Sequence, residues 1–91
     1  MTMTEAVKQM MLGWDPTAFD QKGSGVIRGN VLSSGRVIYR YVPYDIRPGE
    51  RVGVPMLISV NPDDLSDVRF SNREEFYEFM GSSSADSGIL E

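Results

Sequence analysis

The 91-residue chain has no cysteine and no histidine. Without thiols there are no disulfides, no thiolate nucleophiles and no cysteine-type zinc sites. Without imidazole there is no Ser-His-Asp or Cys-His arrangement, no histidine general base and none of the usual zinc ligation. Catalysis would have to rest on carboxylates, lysine, tyrosine or serine. The expectation is a protein that is not an enzyme and takes no cofactor. Long apolar runs are missing as well. No stretch approaches the ~18–20 residues of a membrane span, so no membrane partner is expected. The opening "MTMTEAVKQMM" lacks the basic segment and apolar run of a secretory leader, which with the missing cysteine points to the cytoplasm.

Cations are the scarcer charge, 9 Lys and Arg against 13 Asp and Glu, for a net charge of −4. They are unevenly spread. Residues 1–21 set Lys8 against Glu5, Asp15 and Asp20, a balance of −2. Residues 22–52 hold Lys22, Arg28, Arg36, Arg40, Arg47 and Arg51 against Asp45 and Glu50, a balance of +4. Residues 53–91 carry Arg69 and Arg73 against eight acids, a balance of −6. A basic middle between acidic ends marks either a phosphate-facing surface or two parts of one small fold that attract each other. Nucleic-acid binders of this size are usually basic overall, which favours the second.

What is present reads as one α+β domain over residues 1–80, near the lower size at which a domain folds unaided. The Ser/Gly-rich residues 81–91 have too little apolar content to pack and read as a disordered tail. Thr2 and Glu5 have capping-box spacing, and Met3, Val7, Met10 and Met11 recur at helical spacing, so the chain opens with a helix that Gly13 is placed to end. Asp15 and Pro16 suit the start of one further helical turn.

From Val26 to Val60 the pattern changes. "VIRGNVL", "RVIYRYV" and "RVGVPMLISV" are strand-like and are separated by the turns "SSG" and "IRPGE". Gly29 marks a bulge. Pro55 demotes the start of the third run and leaves "MLISV" as the central strand. "DVRFSN" reads as a fourth strand. Asn72 and Glu75 repeat the capping box ahead of an apolar stripe, Phe76, Phe79 and Met80, in a second helix that Gly81 is placed to stop. Short glycine-containing turns cannot hold a parallel crossover. The fold expected is therefore a small, mainly antiparallel four-stranded sheet or half-open barrel, with an N-terminal and a C-terminal helix covering one face.

Three carboxylates, Asp63, Asp64 and Asp67, follow the last apolar run. Oxygen ligands at short spacing suit a hard cation, and paired carboxylates suit acid–base work. The alternating register, central glycine and closing glutamate of a calcium loop are missing, however. Turn chemistry accounts for the cluster: Asn61-Pro62 starts a turn, and Asp63, Asp64 and Ser66 can cap it through their side-chain oxygens. No metal site is expected.

"RVGVPMLISVNPDDLSDVRFSN" also resembles the end of the small C-terminal β-barrel domain of Mu-type transposases and their integrase relatives. In that family a strand with alternating valines runs into an Asp-Pro-x-Asp-Leu-Ser-x-Val turn. Asn61 stands here in place of the Asp before Pro62, while Asp64, Leu65, Ser66 and Val68 match. The resemblance spans residues 26–70. It implies a structural acidic turn and a non-catalytic accessory barrel that contacts nucleic acid or neighbouring subunits.

Two surfaces are candidates. Met10, Met11 and Trp14 on the first helix, with Glu74, Glu75 and Glu78 on the second, suit a non-catalytic protein-interaction module. Such an adaptor or inhibitor would work through acidic ends and a Met/aromatic surface toward a protein partner, such as a basic nucleic-acid-binding protein. Small acidic domains of this sort include phage and mobile-element proteins that mimic nucleic-acid charge, an analogy of class and not of residues. The alternative is nucleic acid itself, contacted by Arg36, Tyr39, Arg40, Tyr41, Tyr44 and Arg47, whose interleaving combines stacking rings with phosphate-pairing cations. The plainer reading of those residues has Tyr39 and Tyr41 lining the core side of a sheet.

Overall fold

The computed structural model describes residues 1–45, 47, 49 and 56–85. Helix α1 runs Met3–Trp14, followed by strands β1 (Gly25–Val31), β2 (Val37–Val42), β3 (Met56–Asn61) and β4 (Asp64–Phe70), then helix α2 (Arg73–Ala85). The strands form one open antiparallel sheet in the order β1-β2-β3-β4. It does not close into a barrel. The Pro55 and "IRPGE" readings fall mainly on residues outside those described, but "MLISV" is central, paired on both sides.

Both capping boxes form. At α1 the Glu5 N–H donates to Thr2 Oγ1 (3.1 Å) and the Thr2 N–H to Glu5 Oε1 (2.9 Å). This satisfies two donors that a helix start leaves orphaned. The Thr2 bonds hold the Glu5 carboxyl below its ordinary pKa. At α2 the Glu75 N–H donates to Asn72 Oδ1 (2.8 Å) and the Asn72 N–H to Glu75 Oε1 (3.0 Å).

Neither glycine ends its helix. Gly13 is inside α1 and does not adopt positive φ. The stop is set by Pro16, which drives the preceding Asp15 to an extended φ of −146° and ψ of 105°. Gly81 is likewise interior to α2, which continues to Ala85. A mid-helix glycine costs only about 1 kcal/mol, too little to break a helix already nucleated. The tail expected over 81–91 therefore begins as helix, and residues 86–91 lie outside those described.

The helices sit on opposite faces of the sheet, not on one. Val7 and Met11 of α1 pack with Val37, Tyr39, Ile58 and Val60. Phe79 of α2 packs on the other side with Leu32, Ile38 and Leu57. The reason lies in the central strands. β3 buries Leu57, Ile58, Ser59 and Val60 in succession. β2 places Ile38 opposite in direction to Val37 and Tyr39. A strand apolar on both faces needs two covers, so the domain has three layers.

The turns follow local chemistry. Between β1 and β2, Gly35 takes a φ of +93°, and the Leu32 N–H closes the turn on Arg36 O at 2.7 Å. β1 is bulged between Arg28 and Val31, where Gly29 lets the Phe79 ring approach. β4 starts at Asp64, earlier than the "DVRFSN" reading, because the β3–β4 turn consumes only Pro62 and Asp63.

Candidate interaction surface

Under the N-terminal half of α2 lies a polar network that the sheet register assembles. Ser59 on β3 stands across from Ile38 on β2 and Arg69 on β4. Arg36, just before β2, reaches over it. The Arg36 Nε donates to Ser59 Oγ (2.6 Å), Nη1 to Asp67 Oδ2 (2.7 Å), and Nη2 to the carbonyls of Ser59 (3.0 Å) and Asp67 (3.1 Å). Ser59 Oγ donates onward to Glu75 Oε2 (3.0 Å), which also accepts from Arg69 Nη2 at 2.9 Å and lies 3.5 Å from Arg36 Nε. Glu78 then anchors the next turn of α2, accepting from the Ser33 N–H (2.6 Å) and Ser33 Oγ (2.9 Å). The hydrogen bond from Arg36 is the main reason that the Asp67 carboxyl titrates below its ordinary range. Ser59 is fully buried and has partners on both sides, so its hydroxyl is a structural link.

The three carboxylates near the β3–β4 turn do not converge. The Asp63 N–H donates to Asn61 Oδ1 (2.9 Å), Asp64 Oδ1 accepts from the Ser66 N–H and hydroxyl (3.1 and 2.6 Å), and Asp67 belongs to Arg36. Among the described residues no group of three or more acids is placed to hold a metal ion.

The protein-binding candidates divide. Met11 is completely buried and Met10 packs against the same core, so both serve the α1 layer. Glu75 and Glu78 are engaged by the sheet, as above. Glu74 is exposed. Trp14 is 54% exposed and stands edge-on to Phe70, with ring centroids 5.5 Å apart. Phe70 is the partner that the sequence did not single out. It closes β4, and its approach to Trp14 depends on how α1 crosses the sheet.

The nucleic-acid candidates do not form one platform. Tyr39 is buried beneath α1, with its hydroxyl 3.1 Å from Thr4 Oγ1. Tyr41 stacks edge-on with Phe19 and its hydroxyl donates to Ala18 O, in a setting where burial pushes its pKa up and the Asp15 charge adds to the rise. Both rings face α1. Arg36 and Arg40 point to the opposite face, and Arg36 is committed to the network. Tyr44 and Arg47 are exposed.

No protein-family model, curated protein or solved structure matches the chain. Among the described residues no helix is long and apolar enough to cross a membrane.

Proposed function

We propose that the protein is a non-catalytic protein-interaction module, an adaptor or inhibitor, that docks through the aromatic corner of Trp14 and Phe70, with the exposed Glu74 of α2 contributing to its acidic charge. The half-exposed indole carries this reading. Tryptophan is among the residues most enriched at binding hot spots, because it buries a large apolar area at low entropic cost. The acidic C-terminal third favours a basic partner, such as a nucleic-acid-binding protein, since charge complementarity speeds encounter and selects against acidic surfaces. The reading places the protein in the cytoplasm, among the small acidic domains carried by phages and mobile elements.

The test is capture of partners on immobilised protein, with Trp14→Ala and Glu74→Lys as variants. Neither side chain is needed by the core, so both variants should melt like the wild type. A basic partner captured by the wild type and reduced at least tenfold by Trp14→Ala is the expected result. Equal capture by Trp14→Ala would overturn it. Salt-sensitive binding of labelled DNA or RNA by the purified wild type, weakened by Arg40→Ala, would instead favour the nucleic-acid-contacting accessory module that the transposase resemblance implies.

A further inference from the structure

The face of the sheet beneath α2 is built unlike the face beneath α1. Its floor is a short apolar strip, Leu32, Ile38 and Leu57. At one side Gly29 leaves a notch: a Cβ there would lie 2.8 Å from Phe79 Cε1 and 3.0 Å from Ile38 O. At the other end stand the cations Arg36 and Arg69, with the Ser59 hydroxyl between them. The Ser33 N–H and hydroxyl supply two more donors beside the strip. The face therefore demands one aromatic ring and two carboxylates. α2 meets that demand with Glu75, Glu78 and Phe79, at positions i, i+3 and i+4 of one helix.

α2 fills this face without sealing it. A cleft of about 280 Å³ remains between the helix and the β1–β2 turn, lined by Ser33, Ser34, Arg36, Asn72 and Glu74 among others. Only two residues, Ser71 and Asn72, tether α2 to β4. Phe79 is the one fully buried apolar side chain it contributes among the described residues, whereas α1 contributes both Val7 and Met11. Phe76 packs partly buried against the same strip, and the hydrogen bonds of Glu75 and Glu78 add to the hold; those bonds can be exchanged for equivalent bonds from another helix.

We infer that the sheet face under α2 is a helix-binding groove whose built-in occupant is α2, and that an acidic amphipathic helix of a partner, carrying Glu, Glu and Phe at i, i+3 and i+4, takes its place. Docking of an amphipathic helix into an apolar groove through i, i+3 and i+4 anchors is a common recognition mode. Charge complementarity selects the occupant, because Arg69 and the Ser59 hydroxyl at the groove end both donate to a carboxylate supplied by the helix, with Arg36, itself paired with Asp67, 3.5 Å away. The tether gives α2 a high effective concentration, so the partner helix enters only when α2 is loosened or outcompeted. This groove is on the opposite face of the sheet from Trp14, and its use is independent of the aromatic corner.

The probe is a fluorescein-labelled peptide of residues 71–85, which retains the Asn72–Glu75 capping box. Its anisotropy is followed against full-length wild type, Phe79→Ala and Glu78→Gln. Saturable binding to Phe79→Ala, at least tenfold tighter than to wild type and with Glu78→Gln between them, is the expected result. Phe79→Ala or Glu75→Lys within the peptide should abolish it. Trp14 fluorescence, on the far side of the sheet, shows that the α1 layer is intact in each variant. Should Phe79→Ala fail to fold, Glu78→Gln carries the comparison. Binding no tighter to the loosened variants than to wild type would overturn the inference. So would binding indifferent to Phe79 of the peptide, or labelled oligothymidine taking the groove in the peptide's place. None of these outcomes alters the Trp14→Ala capture result, so the two readings fail separately.

Discussion

Gly29 is the residue whose replacement by the smallest possible step, one methyl group, tests the α2 layer most directly. A Cβ at this position would meet Phe79 Cε1 at 2.8 Å and Ile38 O at 3.0 Å. The ring is 1% exposed and the carbonyl belongs to the central strand β2, so neither retreats freely. Overpacking of this kind costs about 1–3 kcal/mol. Against it stands the gain of about 0.5–1 kcal/mol from replacing a strand glycine by alanine. Gly29→Ala should therefore lose up to about 2.5 kcal/mol net, with about 1 kcal/mol at the middle of the two ranges, which for a domain of this size lowers Tm by roughly 4–8 °C. Urea unfolding followed by far-UV circular dichroism measures it. A second variant identifies the cause. Phe79→Leu alone leaves a partial cavity and costs about 1–2 kcal/mol. In the double variant the shorter side chain vacates the space that the alanine methyl needs. The pair should then fall short of the summed losses by about 1 kcal/mol, well beyond the ~0.3–0.5 kcal/mol scatter of independent sites. Rescue should be incomplete, because the Ile38 carbonyl stays where it is. A stabilised Gly29→Ala, or strictly additive losses in the double variant, would refute the packing of Phe79 against β1.

Arg36→Ala should destabilise by about 1–3 kcal/mol, because it leaves the carbonyls of Ser59 and Asp67 and the Asp67 carboxylate without their guanidinium donor, while Glu75 keeps Arg69 and Ser59; a loss under ~0.5 kcal/mol by urea unfolding would mean that Arg36 is dispensable. Asp67→Asn should flatten the acid limb of the stability curve. The lowered Asp67 pKa contributes stability that is complete above the unfolded value near ~4 and is lost as pH falls through the folded one. Melting temperatures between about pH 6 and pH 2 give the comparison, and superimposable curves would count against the Arg36 pairing. Tyr41→Phe should cost about 1 kcal/mol by leaving Ala18 O without its donor. The raised Tyr41 pKa has the opposite sign: its contribution is whole below the unfolded value near ~10 and is lost as pH rises through the folded one. The variant should therefore resist alkaline unfolding better than wild type relative to its own neutral-pH stability.

The residues that sequence alone made legible are those whose physics is local. A capping box is a contact between neighbours three apart, so Thr2–Glu5 and Asn72–Glu75 could be read from spacing, as could the Asn61 and Asp64 turn bonds. The alternation of β2 is local as well: residues two apart share a face, which sets Val37, Tyr39 and Tyr41 against Arg36, Ile38 and Arg40. What it did not supply was the consequence that each set meets its own helix. That follows only once β3 is known to be central and buried on both faces. The Arg36–Ser59–Glu75 network was illegible for the same reason. Its members are 16 to 39 positions apart, and they converge through the pairings of Ile38 with Ser59 and of Ser59 with Arg69.

Charge shows the same division. The basic middle and acidic end of the sequence suggested attraction within one fold, and the contacts that realise it are those of Arg36 with Asp67 and Glu75. Composition could place the two signs in different segments but could not say which charges are used up by folding. The residues left over for a partner are the ones whose neighbours in space offer no counter-charge or cover, which is why Glu75 leaves the candidate surface and why Trp14, beside a Phe70 that no helical or strand spacing links to it, remains.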